Sequence, residues 1–560
     1  MNIYFLGNYT QELIAKEFEV ITKKETPDIN VFVSGYNQYK QEIINKESLL
    51  YSLKPEIIIL SLDLFTLLDD LIYTESKMDS RIDRIIDRIE ENIKLFIILS
   101  DNLSGSQIFI DNFFFFRPAT MATLEYNSSN SYLEAEEISN LKLTELARKL
   151  HNVKIIDTKS LIKQFGINNL FDERMHYIAK SHWSLNGIKQ LSKLYIRYIN
   201  AYKGKRKKCL ILDLDNTLWG GIIGEDGIEN IQLSNDGIGK AFYDFQREIY
   251  KLYKRGILLV LNSKNSKDIA LNAIDNHPYM ILRSKHFICS KINWNNKAQN
   301  LEEIAQEINI GMDSFVFLDD SPFERELIST RFPEVYVPEL PEDPSEYPNF
   351  IRKLEVFDFL DITKDDLHRN EMYIENKKRE YLKTSINNIE DFYYSLKMIA
   401  SIGRVTDFDI PRISQMTQKT NQFNLTTKRY TMTEIKNFQI AENYDVYVLN
   451  LTDKFGDNGI VGTAIVKKES KKTVIDSFIL SCRVIGRTAE TALLNYIIRE
   501  AIKSGKRKIS GEFIETKKNS PCNNFYKSHN FKQIRKNYWV ANLETYKVKD
   551  IPWIKINGTN

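Results

Sequence analysis

Apolar residues fall along this chain in two rhythms. In residues 1 to about 200, the short apolar runs "NIYFLG", "PEIIILSLDLF" and "IKLFIILSDN" read as strands. Between them lie stretches whose apolar positions recur every three or four residues, the last being the amphipathic "NGIKQLSKLYIRYI". That alternation predicts an α/β domain. A second α/β unit opens at "CLILDLD" and continues with a helix over 239–255, whose Phe242, Phe245, Ile249 and Leu252 share one face and which Gly256 closes. The strand "ILLVLN", a helix from Ser266, the helix "AQNLEEIAQEINIG" and the strand "SFVFLDD" follow. The Pro- and acid-rich "VPELPEDPSEYP" at 337–348 ends this unit, and a charged, helix-prone connector runs to about 395. Beyond it, "YDVYVLNL", "GIVGTAIVKK" and "TVIDSFILSCRV" read as strands before the helix "AETALLNYIIREAIKSG", an α+β pattern. The expected domains are therefore 1–200, 205–350 and 396–545, in series, with a connector at 351–395.

Composition changes this picture little. The 560 residues carry 42% hydrophobic and 27% charged residues, ordinary for a globular protein with several cores. A net charge of +2 argues against a nucleic-acid binder. The basic run "KGKRKK" at 203–208, at a domain entrance, reads as a solvated linker rather than a phosphate patch. Cys209, Cys289, Cys482 and Cys522 show no paired metal spacing and no disulfide framework, which points to a reducing compartment. The N-terminus lacks the features of a signal peptide and no apolar run reaches membrane-spanning length, so a cytoplasmic location and no membrane partner are expected.

Candidate chemistry sits at strand ends. Side chains alternate along a strand, so Asp213 and Asp215 lie on one side where "LILDLD" gives out. Asn262 and Ser263 end the next strand, Asp319 and Asp320 follow "SFVFL", and Lys297 opens the helix before that strand. In a parallel sheet covered by helices, ligands bind outside the carboxyl ends of the strands. Four carboxylates, a hydroxyl and a lysine would meet there, and a hard cation such as Mg²⁺ is the usual remedy for the repulsion.

These residues resemble the four motifs of the haloacid dehalogenase (HAD) phosphotransferases: "DLDNT", Ser263, Lys297 and the acidic pair 319–320. The resemblance implies Asp213 as nucleophile and Asp215 as general acid/base with its backbone carbonyl on Mg²⁺. It implies Ser263 and Lys297, with Asn216 and Thr217, around the phosphate, and Asp320 on the metal with Asp319 in support. "LDLDNTLWGGIIGEDG", "INWNNKAQNLEEIAQEINIGMDSFVFLDDSPFERE", "KTNQFNLTTKRYT", "LTDKFGDNGIVG" and "SCRVIGRTAE" are similar to the FkbH-like branch. That branch implies loading of a D-glyceryl unit from 1,3-bisphosphoglycerate onto acyl carrier protein (ACP). The chain departs from it at Asn262, where a cysteine often precedes the serine, so no covalent thioester can form at that position.

The third region is similar to the GNAT acyltransferase fold. Arg483, Gly486 and Arg487 of "SCRVIGRT" match the turn where such folds receive the pyrophosphate of a CoA or pantetheine arm at a helix start. Cys482 beside it is either a thiol that receives the acyl group or a buried apolar cysteine. Asp453, Gly456, Asp457 and Asn421 are pocket candidates or tight-turn residues. The first region is faintly similar to SGNH-type esterases, with Thr10 and His182 at vestigial nucleophile and base positions. Ala179 stands where an orienting aspartate belongs, so a non-catalytic domain that docks ACP is expected.

The fold class expected is thus α/β, a HAD-like Rossmannoid parallel sheet flanked by an SGNH-like α/β domain and a GNAT-like α+β domain. The leading functional reading is Mg²⁺-dependent glyceryl transfer from a small phosphorylated metabolite to ACP. Three readings stand beside it: a HAD phosphatase for sugar or acyl phosphates, a GNAT-type N-acyltransferase, and a binding platform with vestigial carboxylates.

Overall fold

Five parallel strands, β1 (Asn2–Gly7), β2 (Asn30–Val33), β3 (Ile57–Ser61), β4 (Gln107–Asp111) and β5 (Val153–Ile156), lie in the order β2-β1-β3-β4-β5. In this computed structural model all residues are described except 25–26, 73–80, 117–122, 124–126, 128–130, 421, 517 and 559–560. Strands β3 and β4 are buried throughout, as strands are when helices cover both faces of a parallel sheet. One expected strand is a helix: "IKLFIILSDN" lies inside α1 (Arg81–Asn102), and the strand is the next apolar run, "QIFID". Ile85, Ile89, Phe96 and Leu99 of that helix are buried while Ile97 and Ile98 are exposed, so the period is helical although the apolar run is dense. The amphipathic C-terminal helix of this unit, α2 (Leu185–Tyr202), stands where expected.

The chain forms two compact units, Met1–Tyr202 and Lys203–Asn560. In the second, β6 (Cys209–Leu212), β7 (Leu258–Ser263), β8 (Phe287–Ile292) and β9 (Phe315–Leu318) make a parallel sheet in the order β8-β7-β6-β9. Strand β8, "FICSKI", is absent from the expected set. Helices α3 (Gly239–Lys254), α4 (Lys267–Asn276), α5 (Lys297–Ile308) and α6 (Pro322–Arg331) connect and follow these strands. Gly256 ends α3 at φ +84°, and a Cβ there would stand 1.8 Å from the carbonyl oxygen of Asp366.

That close approach belongs to the connector, which is a packed strap. Of its helices α7 (Arg369–Ser385) and α8 (Ile389–Leu396), the first sends Tyr373 and Ile374 against the core of the parallel sheet and Leu382 against the core of the third domain. Arg379 grips Asp453 through two nitrogens at 2.7 and 2.8 Å, the fork geometry that suits a buried carboxylate. The expected solvated linker at 203–208 is also overturned. Arg206 is buried and paired with Asp366 at 2.5 Å, and Lys207 donates to the carbonyls of Asp313 and Glu334 at 2.8 Å. The run enters beneath the amino end of β6, where the strap covers it. The expected second and third domains therefore share one compact unit.

The third domain holds a mixed sheet of β10 (Met398–Arg404), β11 (Tyr444–Asp453), β12 (Gly456–Lys468), β13 (Lys472–Leu480), β14 (Lys508–Glu512), β15 (Lys532–Arg535), β16 (Tyr538–Asn542) and β17 (Ile554–Gly558). Strands β10 to β13 are antiparallel neighbours. Strand β14 lies parallel to β13 after a crossover through α11 (Ala489–Lys503), and α9 (Ile410–Lys419) and α10 (Met432–Ile440) precede β11. Strand β17 pairs with β10, so this domain runs past the expected end at 545. Among the described residues no helix is long and apolar enough to cross a membrane.

Candidate active site

The register of the parallel sheet brings the four motif positions to one end. Strand β6 stops at Leu212, the N–H of Asp213 still donates to the Leu318 carbonyl at 3.1 Å, and Ser263 closes β7 beside them. Helix α5 starts at Lys297 because Asn296 caps it, accepting from the Ala298 N–H. The Lys297 ammonium lies 2.9 Å from Asp213 Oδ2 and 2.6 Å from Asp319 Oδ2, with all three residues buried. Burial alone pushes the lysine pKa down, but the two carboxylates more than reverse this and hold it above the usual range. Asp319 is raised by burial and then by the Asp213 charge, against the pull of Lys297.

Asp215 is held differently. Its Oδ1 accepts from Trp219 Nε1 at 2.9 Å and the Ile223 N–H at 3.1 Å, and its Oδ2 from Asn265 Nδ2 at 2.9 Å. Burial raises its pKa despite these donors, and the neighbouring Asp213 charge adds to the rise. A carboxyl held above its ordinary range in this way is suited to act as an acid. Asn216 sits at φ +52° and spends its Oδ1 on the Gly221 N–H at 2.9 Å, while its carbonyl takes the Tyr347 hydroxyl. Thr217 is fully buried and its Oγ1 has no hydrogen-bond partner among the described residues.

Several positioning residues carry no motif in the sequence. Arg325 donates to the carbonyls of Asp319 and Asp320 at 2.9 and 2.6 Å and so fixes the acidic pair. Asn265 and Trp219 orient Asp215, and their only sequence signal is a place two residues after Ser263 and four after Asp215. Asn262 serves the scaffold, since its Nδ2 donates to the Lys297 carbonyl and its Oδ1 accepts from Asn300. It ties β7 to the start of α5.

Carboxylate oxygens of Asp213, Asp319 and Asp320 lie within 4.8 Å of one another. Asp213 Oδ1 is buried with no hydrogen-bond partner among the described residues, an acceptor that protein alone leaves unsatisfied. Oxygen donors only, two of them nearly inaccessible, fit a hard divalent cation such as Mg²⁺. The carboxylate of Asp215 is occupied by its three donors and stands apart from this group.

The remaining expected residues lie elsewhere. Cys482 is half-buried, with its carbonyl 3.3 Å from Asn309 Nδ2. Asn309 caps the far end of α5, and a helix of that length puts it roughly 18 Å from Lys297. Cys482 thus stands at the amino edge of the parallel sheet, opposite Asp213. Whatever part its thiol plays is played away from Asp213.

The turn at 483–487 is likewise committed. Arg487 is buried, pairs with Asp453 at 3.4 Å and bonds Asn376, so it faces the strap rather than an incoming phosphate. Arg483 donates to Ser481 Oγ, and the Gly486 carbonyl accepts from the Tyr393 hydroxyl. Asp453 is the strap's anchor, not a pocket group, and Asp457 caps the turn at Gly459. Gly456 sits at φ +154° with Glu375 closely packed against it, and Asn421 lies outside the described residues.

In the first unit Thr10 donates its backbone N–H to the Lys180 carbonyl at 3.0 Å. His182 is stacked on Phe116 with centroids 4.5 Å apart and flanked by Tyr9, Phe171 and Trp183. That ring packing fits a structural histidine. The buried polar groups at the strand ends join in a chain: Trp183 Nε1 to the Tyr9 hydroxyl, Tyr9 to Ser61 Oγ at 2.7 Å, Ser61 to Asp111 Oδ2 at 2.5 Å, and Tyr195 to the same oxygen at 2.7 Å.

Residues 2–199 match the family model "FkbH, N-terminal domain". The N-terminal part of the protein BF1531 from Bacteroides fragilis, solved with a phosphatase domain complexed with Mg, is 31% identical. The match covers 64% of this chain and 94% of that one at a TM-score of 0.59. The ribosomal-protein-S18-alanine N-acetyltransferase of Escherichia coli aligns at 16% identity over 25% of this chain and 90% of its own, TM-score 0.20. Ard1 of Thermoplasma volcanium aligns at 18% over 25% and 94%, TM-score 0.21. Likeness at these levels carries nothing about this chain's activity. No curated protein matches.

Proposed function

Because the chain belongs to the FkbH-like family of HAD phosphatases, we propose that it transfers a phosphoryl group through Asp213 in a Mg²⁺-dependent reaction. The observation that carries this reading is the Lys297 bridge between Asp213 and Asp319, beside an Asp213 oxygen that has no hydrogen-bond partner among the described residues. An Asp213 oxygen attacks phosphorus in line. The bond to the leaving oxygen breaks, and that oxygen takes the proton held by Asp215. Asp215 then accepts a proton from the water that cleaves the phosphoaspartate, so Asp213 is restored and inorganic phosphate leaves. Lys297 and Ser263 hold the phosphoryl oxygens. Asp213, Asp320 and the Asp215 carbonyl, backed by Asp319, would hold Mg²⁺, which when bound neutralises charge on the transferring group.

The donor in this reading is a phosphorylated three-carbon acyl compound such as 1,3-bisphosphoglycerate, and the acceptor is the pantetheine thiol of an ACP docked through the outer domains. The thiol attacks the acyl carbonyl and displaces one phosphate; Asp213 removes the other from the terminal oxygen. The family membership supports this. With Asn262 in the site and Cys482 at the opposite edge, the incoming thiol takes the acyl group directly. The same two facts favour a second reading, a plain phosphatase, since neither side chain supplies a resident acyl acceptor.

Intact-protein mass spectrometry of a holo-ACP incubated with the enzyme, Mg²⁺ and a 1,3-bisphosphoglycerate-generating system separates the two. A glyceryl mass gain that needs Asp213 and metal supports transfer; released phosphate with an unmodified ACP means the phosphatase reading holds. An Asp213→Asn variant that still releases phosphate at the wild-type rate defeats both.

A further inference from the structure

Strands β13 and β14 pair only from Lys472 and Lys508 to Ile475 and Gly511, and then part. Parting parallel strands expose backbone donors and acceptors along both edges, and buried ones must be satisfied. Here the chain's own residues 422–425, between α9 and α10, satisfy them. The Leu425 N–H donates to the Phe478 carbonyl at 3.2 Å, and the Leu480 N–H to the Phe423 carbonyl at 3.0 Å. Across the gap, the Ile514 N–H donates to the Leu425 carbonyl at 2.8 Å. One short segment thus bridges both edges.

The segment is fastened as core. Phe423 and Leu425 are buried, with Phe423 packed on Phe478 and Phe525. Asn519, fully buried, donates to the carbonyls of Asn424 and Ile514 at 3.0 and 2.9 Å, and Asn424 Oδ1 accepts from the Thr427 N–H. Cys522 Sγ donates to the Gln422 carbonyl.

A gap of this kind, next to the start of α11, is where an extended arm bearing amides and ending in phosphate would add as an extra strand with its phosphate on the helix N-terminus. The slot is filled, and the side chains at the helix start are engaged elsewhere. The edges hold 422–425, Arg487 is turned to Asp453 and Asn376, and Thr488 Oγ1 accepts from Trp553 Nε1. We propose that residues 422–425 are a built-in occupant of this slot, and that the third domain therefore takes up neither CoA nor a pantetheine arm there. This stands whether or not the phosphoryl-transfer reading does. It sets aside the N-acyltransferase reading, and leaves any carrier arm to reach the Asp213 site from solvent.

Two measurements on the full-length wild-type chain test it. Titration calorimetry with CoA and with acetyl-CoA to millimolar concentration is expected to show no saturable heat, and hydrogen exchange is expected to find the Leu425 and Leu480 amides as slow as core strands. Saturation in the micromolar range, or exchange of Leu425 at the rate of an open loop, overturns the proposal. A Phe423→Ala variant that remains folded by circular dichroism is expected to tighten CoA binding about tenfold or more, because part of the population then has a vacated slot. A folded variant with no gain shows that the segment is not what keeps CoA out.

Discussion

The side-chain amide of Asn309 donates to the backbone carbonyl of Cys482 at 3.3 Å, tying the far end of the helix that begins with Lys297 to the third domain. Asp213 is at one end of the parallel sheet and Cys482 at the other. Cys482→Ser is therefore expected to release phosphate within about twofold of wild type, a surface-like change. Its phosphate release and any hydroxylamine-sensitive acyl label, measured side by side, check this; a loss of more than tenfold in phosphate release contradicts the placement.

Lys297 neutralises two carboxylates that otherwise face each other in a buried site. Lys297→Met is expected to cost about 3–5 kcal/mol of stability in chelator, the penalty for stranding buried charge. Saturating Mg²⁺ should recover much of it, since a ligand of the folded state stabilises by mass action. Urea unfolding in EDTA and in Mg²⁺ reads the difference, and an identical loss in both would remove the cation from the account.

Gly256 combines a left-handed backbone with a contact that forbids a Cβ. Gly256→Ala is expected to destabilise the Lys203–Asn560 unit by roughly 3 kcal/mol, part backbone strain and part displacement of the strap at Asp366. A denaturation midpoint unchanged from wild type would mean that the strap yields freely.

The wholly buried Asp111 has its pKa pushed up to about 7 from an ordinary 3.8, chiefly by burial and against the donors Ser61 and Tyr195. The native state then holds a proton that the unfolded chain releases, so this group's contribution is full below pH 4 and is lost as pH rises from 4 through 7. The loss is up to roughly 4 kcal/mol. Asp111→Asn should flatten that slope. Hydrogen exchange of peptides over β4, corrected for intrinsic rates at each pH, is the measurement, and a slope unchanged in the variant rules Asp111 out as its source.

Much of this is legible in the chain because the relevant patterns are local. Asp213, Ser263, Lys297 and Asp319 each sit at a boundary that strand length and capping residues announce, and a parallel sheet gathers such boundaries at one end. What escapes depends on partners far away in sequence. Arg206 reads as solvated until Asp366 is placed beside it 160 residues later, and Arg487 reads as a phosphate ligand until Asp453 and Asn376 claim it. The helix through "IKLFIILSDN" reads as a strand because a dense apolar run hides a 3.6-residue period. Asn265, Trp219 and Arg325 act through a few hydrogen bonds of particular geometry, and spacing alone does not encode that.

Asn262 stands where a sulfur could have been, and the other thiols are unevenly exposed. Cys209, Cys289 and Cys522 are buried, and burial pushes Cys289 and Cys522 up to about 12, so they hold little thiolate. Cys482, half-buried, is the least enclosed of the four, a full sheet length from Asp213. A thiol reagent is therefore expected to mark the joint between the parallel sheet and the third domain first, while the groups gathered around Asp213, which offer oxygen and nitrogen alone, give it no sulfur to modify.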